Sequence, residues 1–258
     1  MRHLCLYFQV HQPFRLRHYR FFDIAKSDNY FDDGYNAFIM NKVAEKCYRP
    51  ANELMLELIQ NSKGRFKISY SISGTALDQF ELYAPDVLDS FKELAATGQV
   101  EFLAETAAHS LASLKSETEF RSQVIEHSPR IEKLFGQRPT VLRNTELIYS
   151  NHIGDMANKL GFKAMLTEGA DRILGWRSPN YVYQHPDHDL KLLLKNYKLS
   201  DDIAFRFSDT NWSERPLTAD KFTHWLNAVP HHEQLINLFM DYETFGEHQW
   251  AESGVFEF

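Results

Sequence analysis

Short apolar runs separated by longer stretches of helical spacing recur along the chain. Leu4 to Val10 (LCLYFQV) reads as a first strand that ends at His11. RFKISYSI, VEFLAE (100–105), TVLRNTE (140–146), FKAMLTE (162–168), DLKLLLKN and LINLFM have the same character and predict six more. Between them, residues 41–61 have helical spacing that Pro50 must kink or split. PDVLDSFKELAATG carries Pro85 at its start and Gly98 past its end, the usual helix punctuation. SETEF sets Ser116 and Glu119 in capping-box spacing, and the helix after the fourth strand closes at Gly161. The loop HQPFRLRHYRFFD is long for a connector, which marks it as functional.

Strands alternating with helices imply a parallel sheet. About seven such units, with no G-x-G-x-x-G or Walker sequence, favour a barrel over an open nucleotide-binding sheet. Active sites of such barrels sit at the C-terminal ends of the strands. Those ends are His11, Glu105, Glu146, Glu168 and Asp241. Four acids at one mouth repel unless some hold a ligand or a proton, and two carboxylates across a site are what glycoside hydrolysis requires. Glu105 and Glu168 either share that work or simply open the loops that follow them.

Composition narrows the partners. The 258 residues are 24% charged and 43% hydrophobic, ordinary globular values. A formal charge of −7 argues against a nucleic-acid surface. Cys5 and Cys47 are too few and too far apart for a disulfide framework or a cysteine zinc site. The apolar run in MRHLCLYFQV is too short for a signal peptide or a membrane span. The expectation is a cytoplasmic enzyme with no nucleic-acid or membrane partner, of undetermined oligomeric state. HPDH (185–188) holds two histidines three apart, but outside a helix this reads as a solvated turn rather than a metal site.

HQP (11–13), GQVEF (98–102), RNTELIY (143–149) and MDYETFGEHQW (240–250) occur in the order and rough spacing of glycoside hydrolase family 57, which the chain resembles over nearly its whole length. The resemblance implies a (β/α)7 barrel, distorted relative to a TIM barrel, and an enzyme of the α-amylase or 4-α-glucanotransferase kind. Its substrate would be an α-1,4-glucan such as starch, glycogen or a malto-oligosaccharide, with no cofactor and no metal. Glu146 falls at the nucleophile position and Asp241 at the acid/base position. Retention would need the two carboxyl groups ~5–5.5 Å apart. Asp241 follows the apolar INLFM, so desolvation is expected to raise its pKa, while Arg143 is expected to help keep Glu146 ionised. His11, Glu101 and Glu243 match sugar-contacting positions; Asp241 and Glu243 would face the same way if the strand continues. Trp176, in a polar aromatic loop, could stack on a sugar or anchor the loop. Residues 1–258 would form one catalytic domain. The family continues past DYETFGEH into further helices, whereas here SGVFEF reads as the interior of a helix, so the domain is expected to be truncated at its C-terminal end. The alternatives are a metal-dependent deacetylase or mannosidase on a related barrel, disfavoured by the lack of a paired-histidine strand end, and a non-catalytic glucan-binding protein.

Overall fold

The computed structural model describes residues 3–258. In chain order the elements are β1 (His3–Val10), α1 (Asp33–Val43), α2 (Arg49–Asn61), β2 (Ile68–Ile72), α3 (Gly74–Tyr83), α4 (Pro85–Ala96) and β3 (Val100–Phe102). Then come α5 (Glu117–Phe135), β4 (Val141–Arg143), α6 (Asn151–Lys159), β5 (Ala164–Thr167), α7 (Asp171–Leu174), β6 (Tyr183–Gln184), β7 (Lys191–Leu194), α8 (Tyr197–Ala204), α9 (Ala219–Ala228) and β8 (Leu235–Asp241).

Two four-stranded arcs, β3-β2-β1-β8 and β4-β5-β7-β6, carry the ladder. All pairings are parallel except β6 with β7. Single parallel bridges join the arcs at both edges, Ala104 to Leu142 and Lys195 to Asn237. Seven parallel strands therefore follow one another around a distorted (β/α)7 barrel, and the antiparallel β6 hangs outside the count. β8 is buried from Leu235 to Met240 because it pairs along its length with β1 while helices cover its outer face.

The barrel interior is plugged by Tyr7, Leu103, Leu147, Leu166 and Phe239. A larger core lies between the first arc and helices α1 to α4, and a smaller one lies under α5 and α6. The split expected at Pro50 is present: a π-helical segment, Ala44–Tyr48, separates α1 from α2, and Pro50 sits in the first turn of α2. Ser116 Oγ accepts from Glu119 N, as the capping spacing implied. The last residues do not continue a helix. A 3-10 turn, Ala251–Ser253, ends at Gly254, and Phe258 packs on Phe207 and Phe222.

Candidate active site

The mouth at the strand C-termini gathers the acids. Asp241 ends β8 in register with Gln9 of β1. Glu146 follows β4 in a 3-10 turn, Thr145–Leu147, with φ 55° and ψ 24°, a left-handed conformation costly for a side chain with a Cβ. Glu146 does not cap the next helix; Ser150 does, its Oγ accepting from Ile153 N. Glu146 and Asp241 line one pocket of about 200 Å³ together with Glu168, Lys195 and His248. The sequence pair is thus brought to a common space from different strands.

A buried charge network stands behind Glu146. Glu105, fully buried at the end of β3, faces Arg143 Nη1 at 3.5 Å and His109 Nδ1 at 3.2 Å, and Gln9 Nε2 donates to its other oxygen at 3.2 Å. Burial pushes the Glu105 carboxyl up, but the His109 hydrogen bond and the charges of Arg143, His109 and His127 outweigh it, so its pKa lies below the usual value. His109 has φ 50°, which turns its ring back over Glu105 and leaves Nε2 3.6 Å from Glu146 Oε1. Arg143 therefore belongs first to Glu105; it reaches Glu146 and Asp241 only as a longer-range charge, and its guanidinium lies 5.1 Å over the Phe239 ring. Lys195 stands on the other flank, 3.9 Å from Glu168 and 3.4 Å from Asp201.

His11 stacks on His109 with ring centroids 4.1 Å apart. Its Nδ1 is held by Ser73 Oγ at 2.7 Å and Thr75 Oγ1 at 3.2 Å. Burial, with the charge of His109, lowers its pKa to about 4, so the ring is neutral near pH 7. With Nδ1 occupied by hydroxyls, Nε2 is the ring atom left to meet a ligand.

Three expectations fail for physical reasons. Asp241 is exposed, so the apolar strand does not desolvate it. The desolvated acid is Glu243, 4% exposed, whose pKa burial and the charge of Asp241 push up to about 7 against the opposing hydrogen bond from Tyr48. The strand stops at Asp241 and Tyr242–Thr244 form a 3-10 turn, so residues 241 and 243 face different ways and Glu243 is no exposed sugar contact. Glu101 pairs in register with Ser69 and is exposed; it lines a separate pocket with Cys5 and Lys67 at the N-terminal end of the strands.

The rest of the DYETFGEH stretch is structural. Lys42 of α1 pairs with Glu247, and Gly246, at φ +106°, lies where a Cβ would come 1.9 Å from Lys46 O. His248 lines the same pocket as Glu146 and Asp241. Trp176, 94% exposed, lines a different pocket with Tyr181 and His232. Glu105, a strand-end acid whose role sequence left open, and His109, which it did not single out, are the main additions. An acid four residues before a histidine at a strand end was the available signal.

HPDH is not a solvated turn. His185 is 1% exposed, and it, His188 and Asp155 bring their donor atoms within 4.8 Å of one another. His185 Nδ1 accepts from Asp187 N at 3.1 Å, which puts the ring proton on Nε2, 3.0 Å from Asn151 O. A metal would need the lone pair of that same Nε2, and its ligands normally donate from the other nitrogen. The cluster fits a clamp between α6 and the β6–β7 turn, with His188 Nε2 2.9 Å from Asp155.

Among the described residues no helix is long and apolar enough to cross a membrane. In comparisons with known proteins, the chain is 51% identical over 257 residues to a protein of Methanocaldococcus jannaschii described as a putative alpha-amylase. The match covers 97% of this chain and 53% of that protein, so the chain spans about half the length of its curated relative. The fold resembles 4-alpha-glucanotransferase from Thermococcus litoralis, with a TM-score of 0.73 at 16% identity over 98% of this chain and 36% of that one. It also resembles the GH57-type branching enzyme of Pyrococcus horikoshii, with a TM-score of 0.67 at 14% identity over 98% of this chain and 66% of that one. The family model described as Glycosyl hydrolase family 57 matches residues 5–258, and the chain belongs to that family.

Proposed function

We propose that this chain is a retaining glycoside hydrolase or transglycosylase acting on α-1,4-glucans, with Glu146 as nucleophile and Asp241 as acid/base. The observation that carries the reading is the convergence of these two carboxylates, from β4 and β8, on one pocket. Asp241 gives its proton to the glycosidic oxygen as the bond to C1 breaks, and Glu146 forms the new C1–O bond. Asp241, now ionised, takes a proton from water or from a sugar hydroxyl, which attacks C1 and frees Glu146. Arg143, Glu105 and His109 orient Glu146 and hold compensating charge beside it. His11 is placed to donate to a hydroxyl of the sugar next to the cleaved bond. Relatives named for amylase, glucanotransferase and branching activity support the α-glucan substrate class. The two free cysteines fit the cytoplasmic setting included in the proposal.

Digestion of maltoheptaose followed by NMR tests the mechanism. Release of the α-anomer first is expected, and release of the β-anomer first would overturn retention. Glu146→Gln then separates catalysis from glucan binding alone: an unchanged turnover would refute the nucleophile assignment.

A further inference from the structure

We propose that the glucan cleft extends beyond Glu146 to an aromatic platform of Trp176, Tyr181 and Tyr183, which holds glucose units of the same chain remote from the bond being cut. This rests on the α-glucan reading above and adds to it a preference for long chains.

The pocket shared by Glu146 and Asp241 adjoins a groove of about 720 Å³ that includes Glu146, Leu147 and Glu168 in both linings. The groove runs between α6 and α7 to Arg177 and Tyr183, and these two residues also line the pocket of Trp176, Tyr181 and His232. Three concavities thus share walls in series from the catalytic acids to Trp176. The size of the groove is within the range of ligand clefts, roughly 300–1,000 Å³.

Trp176 is 94% exposed, and it shares one pocket lining with Tyr181, Tyr183 and His232, so several rings face the same space. The loop that presents it is braced rather than loose. Arg177 donates from Nε to Leu174 O at 2.9 Å and from Nη2 to Ile173 O at 2.8 Å. Tyr183 Oη donates to Ser178 O at 2.6 Å. Asn180 and Glu233, both buried, are joined at 2.6 Å and tie the loop to the start of β8. Tyr181 stacks on His232 with centroids 6.3 Å apart and an interplanar angle of 28°. These contacts reduce the loop entropy that binding would cost.

The chemistry suits a pyranose chain. Flat aromatic faces meet the C–H faces of glucose, while Arg177 and His232, which line the same pocket, offer polar atoms to hydroxyls. A pocket in series with the candidate active site fits a polymer that passes from one to the other.

The test compares wild type, Trp176→Ala and Trp176→Phe on maltotriose and on amylose. For Trp176→Ala the ratio of kcat/KM for amylose to that for maltotriose should fall about fivefold, mainly through KM, and Trp176→Phe should restore most of it. A ratio unchanged by Trp176→Ala would overturn the platform, as would equal losses on both substrates. Amylose titration followed by tryptophan fluorescence reads the platform without turnover. Loss of the fluorescence response in Trp176→Ala, with weaker binding, supports it; undiminished affinity overturns it. A wild type that cleaves neither substrate defeats the catalytic proposal, and the titration still decides the platform.

Discussion

His109 lies between Glu105 and Glu146, with Nδ1 3.2 Å from the buried acid and Nε2 3.6 Å from the candidate nucleophile. A histidine held at φ 50° by its turn, and stacked on His11, has little freedom to leave that position. Under the proposed mechanism it would position Glu146. His109→Ala should lower kcat by roughly tenfold to hundredfold while KM changes little, because the loss is of orientation and not of sugar contacts. Steady-state kinetics on maltoheptaose checks the split; a rise in KM at constant kcat would assign His109 to binding instead.

The two carboxylates should respond differently to the leaving group. Asp241→Asn should cost about 10²–10⁴-fold on maltoheptaose, where the departing oxygen needs a proton. On a 4-nitrophenyl maltoside the first step needs no such proton, so much of that loss should disappear. Glu146→Gln should remain inactive on both substrates, since the bond to C1 cannot form. Burst-phase measurements with the aryl substrate distinguish the two variants.

Sequence made the barrel legible because its strands are apolar runs closed by polar residues, as in INLFMD, and this also exposed Glu146 and Asp241. What it missed depends on contacts between distant segments. α3 follows β2 after the single residue Ser73 and opens on Gly74, so its start merges with the strand. α9 buries only Phe222, so little of it is fixed by the core. The motif position of Glu101 could not reveal how a three-residue β3 pairs with β2, and that pairing leaves the side chain in the separate pocket with Cys5 and Lys67. For Glu243 the alternation rule failed at the residue where the strand ended. His109 owes its role to one left-handed turn that pattern does not encode.

Gly246 is where the DYETFGEH turn packs on the π-helical segment. At φ +106°, with a Cβ position 1.9 Å from Lys46 O, no L side chain fits without moving backbone. Gly246→Ala should destabilise the protein by at least about 2 kcal/mol. Urea unfolding measures this. Because His248 lines the candidate catalytic pocket two residues on, kcat should fall at temperatures where the variant is still folded.

Chelators should leave the rate unchanged. The Asp155–His185–His188 cluster commits His185 Nε2 to a hydrogen bond with Asn151 O, and it lies on α6 and the β6–β7 turn rather than among the strand-end acids. Lasting loss of activity after dialysis against EDTA, restored by zinc, would contradict this. His185→Ala should instead reduce thermal stability, since it removes a buried ring wedged against Gly154.

Glu243 should make stability depend on pH in an unusual direction for a carboxylate. Its pKa in the folded chain is about 7, raised by burial and by Asp241, whereas an unfolded glutamate titrates near ~4.3. Between these values the folded state keeps a proton that the unfolded state has released. Stability therefore falls as pH rises through that window and levels off above it, by a total on the order of 3 kcal/mol. His11 works the other way: its folded pKa of about 4 lies below the unfolded ~6.5, so its contribution is lost as pH falls from ~6.5 to about 4. The two slopes partly cancel in the wild-type curve, and Glu243→Gln isolates one of them. The variant keeps an acceptor for the Tyr48 hydroxyl but has no proton to lose. Relative to wild type it should gain stability from pH 5 to about pH 7 and then level off in urea titrations, and a difference independent of pH would show that Glu243 ionises normally.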